Sequence, residues 1–163
     1  MNGGQYCDMD RQRAISNPSP EFHIVITIAV SGSFSTFGGV SGTAGVAIGL
    51  GSDGIKAPST FASGSVNASS PGTGVGISLG AITGTSDPSV LTGNSSTTGF
   101  SITGPTEIPG LGVYGGFDLT GYASGNTGYN INFGITPLAF PKTEFHQSIP
   151  VTTGTTVCPL QGK

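Results

Sequence analysis

From Phe22 onward the chain repeats with a period of two, and that period constrains its fold more than any other feature. In the segment FHIVITIAVSGSF, Phe22, Ile24, Ile26, Ile28, Val30 and Phe34 alternate with His23, Thr27, Ser31 and Ser33. In GGVSGTAGVAIGLGSDG, Val40, Ala44, Val46, Ile48 and Leu50 alternate with glycine, serine, threonine and alanine. Val75, Ile77, Leu79 and Ala81 follow the same rule, as do Leu111, Val113, Phe117 and Leu119, and then Tyr129, Ile131, Phe133 and Ile135. Side chains on an extended strand point alternately to opposite faces, so each segment reads as a strand with one large apolar face and one small face. Further strands are expected around residues 60–66, 96–103 and 145–151. No stretch carries a helical period.

The turns between these strands are marked by Ser52-Asp53-Gly54, Ser70-Pro71-Gly72, Ser86-Asp87-Pro88, Ile108-Pro109-Gly110 and Ser124-Gly125-Asn126. Their short spacing predicts an all-β, glycine-rich antiparallel meander that closes into a barrel of about seven or eight strands. Glycine within a strand costs about 0.5–1 kcal/mol relative to alanine. A face made of glycine therefore needs a reason: a narrow interior, another backbone packed close, or sharp bends. Residues 1–20 carry Asp8, Asp10, Arg11 and Arg13 and end at Pro18 and Pro20, so they read as a polar leader or linker. Residues 21–163 read as one domain.

Only 8% of the 163 residues are charged, and the net charge is −3. Ordinary soluble domains carry about 25%. A basic footprint for nucleic acid is missing. Between Ala57 and Pro141 the only charges are Asp87, Glu107 and Asp118. Two arrangements follow. In the soluble one, which is the favoured ground state, the apolar face is the core. In the other, the apolar face meets lipid and the small polar face lines an interior, as in transmembrane barrels. A chain capable of both suits a protein made soluble and later inserted. No stretch approaches the roughly 18 apolar residues of a spanning helix.

The inventory for chemistry is thin. Zinc-site patterns of the HExxH or CxxC kind do not occur, and no cofactor motif is present; the GxGxxxG run at Gly74–Gly80 lies in a strand, with no helix after it to hold phosphate. An enzyme is disfavoured. Glu144 and His146 share a face and could form a base with its orienting group, although an exposed edge strand is the favoured account of them. Asp118, Tyr114 and Tyr122 also share a face: either a polar spot lining a cavity or pore, or, as the favoured account, a solvent-facing ladder. Cys7 and Cys158 sit near the two termini and could bridge in an oxidising compartment.

In texture, the runs GGVSGTAGVAIGLGSDG, GTGVGISLGA and GYNINFGITP resemble the glycine-rich, β-rich C-terminal effector domains of bacterial Rhs-type polymorphic toxins, over residues 22–140. The resemblance implies an effector domain that is secreted or delivered to a competing cell, with a neighbouring immunity protein as partner. It carries over no catalytic residue. Combined with the uncharged alternation, it makes a bacterial membrane the expected target, by pore or ionophore action. The rival expectation is a soluble barrel binding an apolar small molecule or a protein partner, with a cavity lined by Ile26, Val46, Ile77 and Phe133.

Overall fold

The computed structural model describes residues 22–36, 38–67, 73–137, 142–149 and 156–159. Ten strands form one antiparallel sheet, with a single 3-10 turn, Pro88–Leu91, as the helical element among the described residues. Eight strands are long: β1 (His23–Thr36), β2 (Gly38–Gly51), β4 (Ser59–Asn67), β5 (Gly74–Thr83), β6 (Ser95–Pro105), β7 (Leu111–Tyr122), β8 (Thr127–Pro137) and β9 (Lys142–Ile149). Two are short, β3 (Gly54–Ile55) and β10 (Thr156–Pro159). The period-two segments all become strands. Gly54, Gly110 and Gly125 each take the positive φ that their turns require.

The order of strands is not that of a plain meander. β1, β2 and β4 lie side by side, and β5 returns to the free edge of β1. In the same way β6, β7 and β8 lie side by side, and β9 returns to the free edge of β6. Each set is a Greek key. The two join along β5 and β8 over nine residue pairs, from Val75↔Ile135 to Thr83↔Thr127. Turn residues specify that a strand reverses, not which edge the next strand takes, so the hairpin signals could not distinguish this order from a meander.

The expected closure into a barrel is not met. β4 pairs with β2 on one edge, while its other edge is shared by β9 (Val66↔Ile149 and Asn67↔Ser148) and β10 (Thr156↔Ala62 to Pro159↔Ser59). β4 thus meets β9 at two residue pairs only, against fourteen between β1 and β2. As a continuous ladder the sheet is not closed into a barrel.

A small apolar cluster sits at one end of the sheet. Val25, Ala47 and Ile82 project from β1, β2 and β5, and Val90 and Leu91 come from the 3-10 turn; Phe61 of β4 and Tyr122 of β7 pack against them. Five strands from both Greek keys therefore converge on the connection between β5 and β6. Asp87 caps that turn, its Oδ1 accepting from the Ser89 N–H at 2.9 Å, and Pro88 occupies the first helical position, where no N–H is needed. The carbonyl of Ser86 lies where a side chain at Gly49 would stand, so Gly49 is the point of close backbone approach. This cluster forms a floor across one rim, and burying each of its larger side chains contributes about 1.5–3 kcal/mol.

Candidate functional site

Outside that floor, the two faces are inverted relative to a soluble sheet. In β1, Val25, Thr27 and Ala29 are buried, whereas Ile28 and Val30 are 54% and 60% exposed. In β5, Gly74, Gly76 and Gly80 are buried and Ile77 is 55% exposed. Among the described residues, twenty-three large hydrophobic side chains are exposed and six hydrophobic residues are buried. A soluble monomer rarely shows a contiguous apolar patch of more than a few hundred Å². The expectation that the apolar face forms the core is thus not met among the described residues: the sheet curls with its small face inside because glycine and serine tolerate tight curvature and Ile, Val and Phe do not fit there.

The same inversion disposes of the expected ligand cavity. Ile26, Val46, Ile77 and Phe133 all lie on the outer face, with Phe133 56% exposed. They line no interior. Outward aromatic side chains also form a row across four neighbouring strands. Phe145, Phe100, Phe117 and Tyr129 have consecutive ring centroids 6.5, 6.5 and 6.3 Å apart, in the range of favourable tilted packing.

The inner face is polar and built from hydroxyls and amides. Tyr114, Asp118 and Tyr122 occur at every fourth residue of β7 and are half-buried on this face, not in a solvent-facing ladder. Asp118 Oδ2 accepts a hydrogen bond from the Asn132 amide, Asn130 Nδ2 donates to Thr120 Oγ1 at 3.2 Å, and Thr120 and Thr97 share a hydroxyl contact at 2.9 Å. Ser31 of β1 lies near the Tyr114 hydroxyl on this face. Glycines make room for these larger groups. A side chain at Gly76 or Gly134 would overlap Tyr114; at Gly99, Asp118; at Gly80, Asn130 and Thr27; and at Gly128, Tyr122. Large and small residues thus interlock across the inner wall. These five strand glycines serve this accommodation, whereas Gly32 and Gly104 have nothing within 4 Å of where a side chain would stand.

Among the described residues, charge lies at the rims, on Asp118 of the inner face, and on Lys142 and Glu144 of β9, the register partners of Thr103 and Ser101. Asp53, Lys56 and Asp87 lie at the rim that carries the floor, and Glu107 lies in the turn between β6 and β7 at the opposite rim. Lys56 donates to Asp53, and that hydrogen bond holds the Asp53 carboxyl below its ordinary value. At the Glu107 rim an apolar groove of about 620 Å³ opens between the end of the β1–β2 hairpin and the ends of β5, β7 and β8; Phe34, Val40, Val75, Leu111, Ile135 and Pro137 line it.

The remaining expectations fall partly outside the described residues. Glu144 and His146 belong to β9, opposite Ser101 and Gly99 in register, but their side chains lie outside the description. Cys158 is half-buried in β10; Cys7, and with it the proposed bridge, is outside the described residues. The polar leader is also outside them. Among the described residues no group of three His, Cys, Asp or Glu could hold a metal ion. No helix there is long and apolar enough to cross a membrane, a finding that does not bear on strands.

Compared with known proteins, the chain matches no family model, no curated protein and no solved structure. Its function is therefore read from the geometry of its faces.

Proposed function

We propose that this chain is a membrane-inserting β-barrel of the effector type, its apolar outer face in contact with lipid and its polar inner face shielded from it. The observation that carries this reading is the inversion of the faces: Ile28, Val30, Ile77 and Phe133 point outward while Asp118, Asn130, Asn132 and Tyr114 point inward. Strand length supports it, since β4 to β8 have 9 to 12 residues and a tilted membrane strand needs about 9–11. So does the placement of Asp53, Lys56, Asp87 and Glu107 at the rims, because a charge facing lipid at mid-depth costs about 2–4 kcal/mol.

The barrel itself is part of the proposal: in lipid, the short seam between β4 and β9 zips and the sheet closes. The registers support a consistent closure. Ser35 pairs with Gly39, Gly39 with Asn67, and Asn67 with Ser148. Ser148 pairs with Thr97, Thr97 with Thr120, and Thr120 with Gly128. Gly128 pairs with Ile82, and Ile82 with Val25. The circuit returns to β1 ten residues from its start, from Ser35 to Val25. An even stagger keeps every side chain on its own face around a closed barrel. Zipping this seam pairs backbone groups of β4 and β9 that hydrocarbon would not tolerate unpaired.

The resemblance to polymorphic-toxin domains supplies the context: delivery into a competing bacterium, action on its membrane, and an immunity protein as the neutralising partner. Full-length protein mixed with phosphatidylethanolamine–phosphatidylglycerol vesicles that hold a potassium gradient tests the reading. We expect the protein to float with the vesicles and the potential to collapse. Protein that stays wholly in the aqueous fraction, with the potential intact, contradicts it.

The rim groove favours a second reading, a soluble binding module for an apolar small molecule. An apolar fluorescent probe would then bind one to one in the absence of lipid, and Val40→Asp would abolish the binding.

A further inference from the structure

The two rims of the sheet differ in ways that bear on how such a barrel enters a bilayer. The rim of the floor carries Asp53, Lys56 and Asp87 together with a packed apolar cluster. Moving it through hydrocarbon means carrying three charges and the crossover between β5 and β6. The opposite rim is different. No acidic, lysine or arginine residue occurs anywhere between His23 and Asp53, so the whole β1–β2 hairpin is free of fixed charge. Its pairing runs to Thr36↔Gly38, whereas the ladder of β1 with β5 ends at Ser33↔Gly74. The hairpin thus continues three residues past the β5 ladder.

The outer face of that extension is apolar. Phe34 and Val40 are register partners and are 59% and 53% exposed. They border the 620 Å³ groove, whose other wall is Val75, Leu111, Ile135 and Pro137. Val75 and Ile135 also belong to the exposed outer face, so groove and outer face form one continuous apolar surface. Glu107, in the β6–β7 turn, and Lys142, the first residue of β9 and register partner of Thr103, are the charged residues of this rim among the described residues, with Glu144 two residues further along β9.

Resting on the membrane reading above, we infer that the β1–β2 hairpin tip is the lipid-entering end: Phe34 and Val40 engage the bilayer first, the tip crosses to the far side, and the floor rim stays on the side of addition. The partner for this surface is the hydrocarbon of a bilayer.

The test uses full-length protein in which Cys7 and Cys158 are replaced by serine, with one new cysteine, Thr36→Cys at the tip or Ser52→Cys at the floor rim, each biotinylated. The proteins are added to phosphatidylethanolamine–phosphatidylglycerol vesicles, and external streptavidin, too large for the interior of an eight-stranded barrel, reports which biotin remains reachable. The inference predicts that Ser52→Cys stays almost fully reachable and that Thr36→Cys becomes protected in the vesicle-bound fraction until detergent is added. Protection at 52 with access at 36 overturns the orientation while leaving insertion standing. Access at both positions on vesicle-bound protein also overturns it, since the tip has then not crossed. Failure of both proteins to bind vesicles overturns the membrane reading and this inference together.

Discussion

Two kinds of glycine can be told apart here by what a side chain would meet. Gly76 faces Tyr114 and the Phe133 carbonyl, while nothing lies within 4 Å of the position a side chain would take at Gly32. Gly76→Ala should therefore destabilise the fold by about 1–3 kcal/mol, the usual cost of overpacking. Gly32→Ala should stabilise it by up to about 1 kcal/mol through reduced chain entropy. Denaturant midpoints of the two variants check the pair; equal effects would mean Tyr114 does not occupy the space over Gly76. At the rim, Asp53 has its carboxyl lowered by Lys56. Any contribution of that pair is present above the carboxyl's ordinary value and is lost as pH falls through the lowered one. Asp53→Asn should thus flatten the stability profile on its acid side only, measured by thermal melting between pH 2 and pH 6. The composition showed that glycine had to serve one face. It did not show that Tyr114, Asp118 and Tyr122 were the groups being accommodated, because same-face membership says nothing about which strands lie opposite.

At the level of elements, strand positions were legible because alternation, length and turn residues agree in each segment. Pairing order was not. The crossovers that bring β5 to β1 and β9 to β6 depend on which edge is free when the strand docks, and no local residue records that. The consequence is a sheet of uneven strength. β1 lies between two long ladders, of fourteen pairs with β2 and ten with β5, while β4 and β9 share two. Amide hydrogen exchange should be slowest in the middle of β1 and faster in β4 and β9, whose shared seam is two pairs long, and vesicles should slow the β4 and β9 amides most if the seam zips in lipid. The floor is the other element with a clear energetic role. Leu91→Ala removes a buried side chain packed with Val25, Ala47 and Ile82 and should cost about 2–5 kcal/mol in a denaturant titration. A cost below half a kcal/mol would mean that the connection between β5 and β6 does not hold the rim together.

For the molecule as a whole, period-two alternation has a symmetry that sequence reading cannot break: exchanging inside and outside leaves the pattern unchanged. What breaks it is the cost of curvature and charge. The small face can line a tightly curled sheet and the large face cannot; on the proposed membrane reading, the near absence of charge from the large face follows because water is not its main neighbour. The low charge was visible in the composition, and it is one of the observations on which the proposed membrane reading rests. Ile77→Lys, in the middle of the outer face, should weaken vesicle binding by about 2–4 kcal/mol, whereas Asp53→Asn at the rim should leave it unchanged. The most direct measurement places one fluorophore at Ile77→Cys and, in a second protein, at the adjacent Ser78→Cys, with Cys7 and Cys158 replaced by serine, and quenches each with lipids brominated along the acyl chain. The account predicts strong quenching at position 77 and little at position 78. Quenching at 78 and not at 77, or at neither in vesicle-bound protein, would contradict an apolar outer face embedded in lipid.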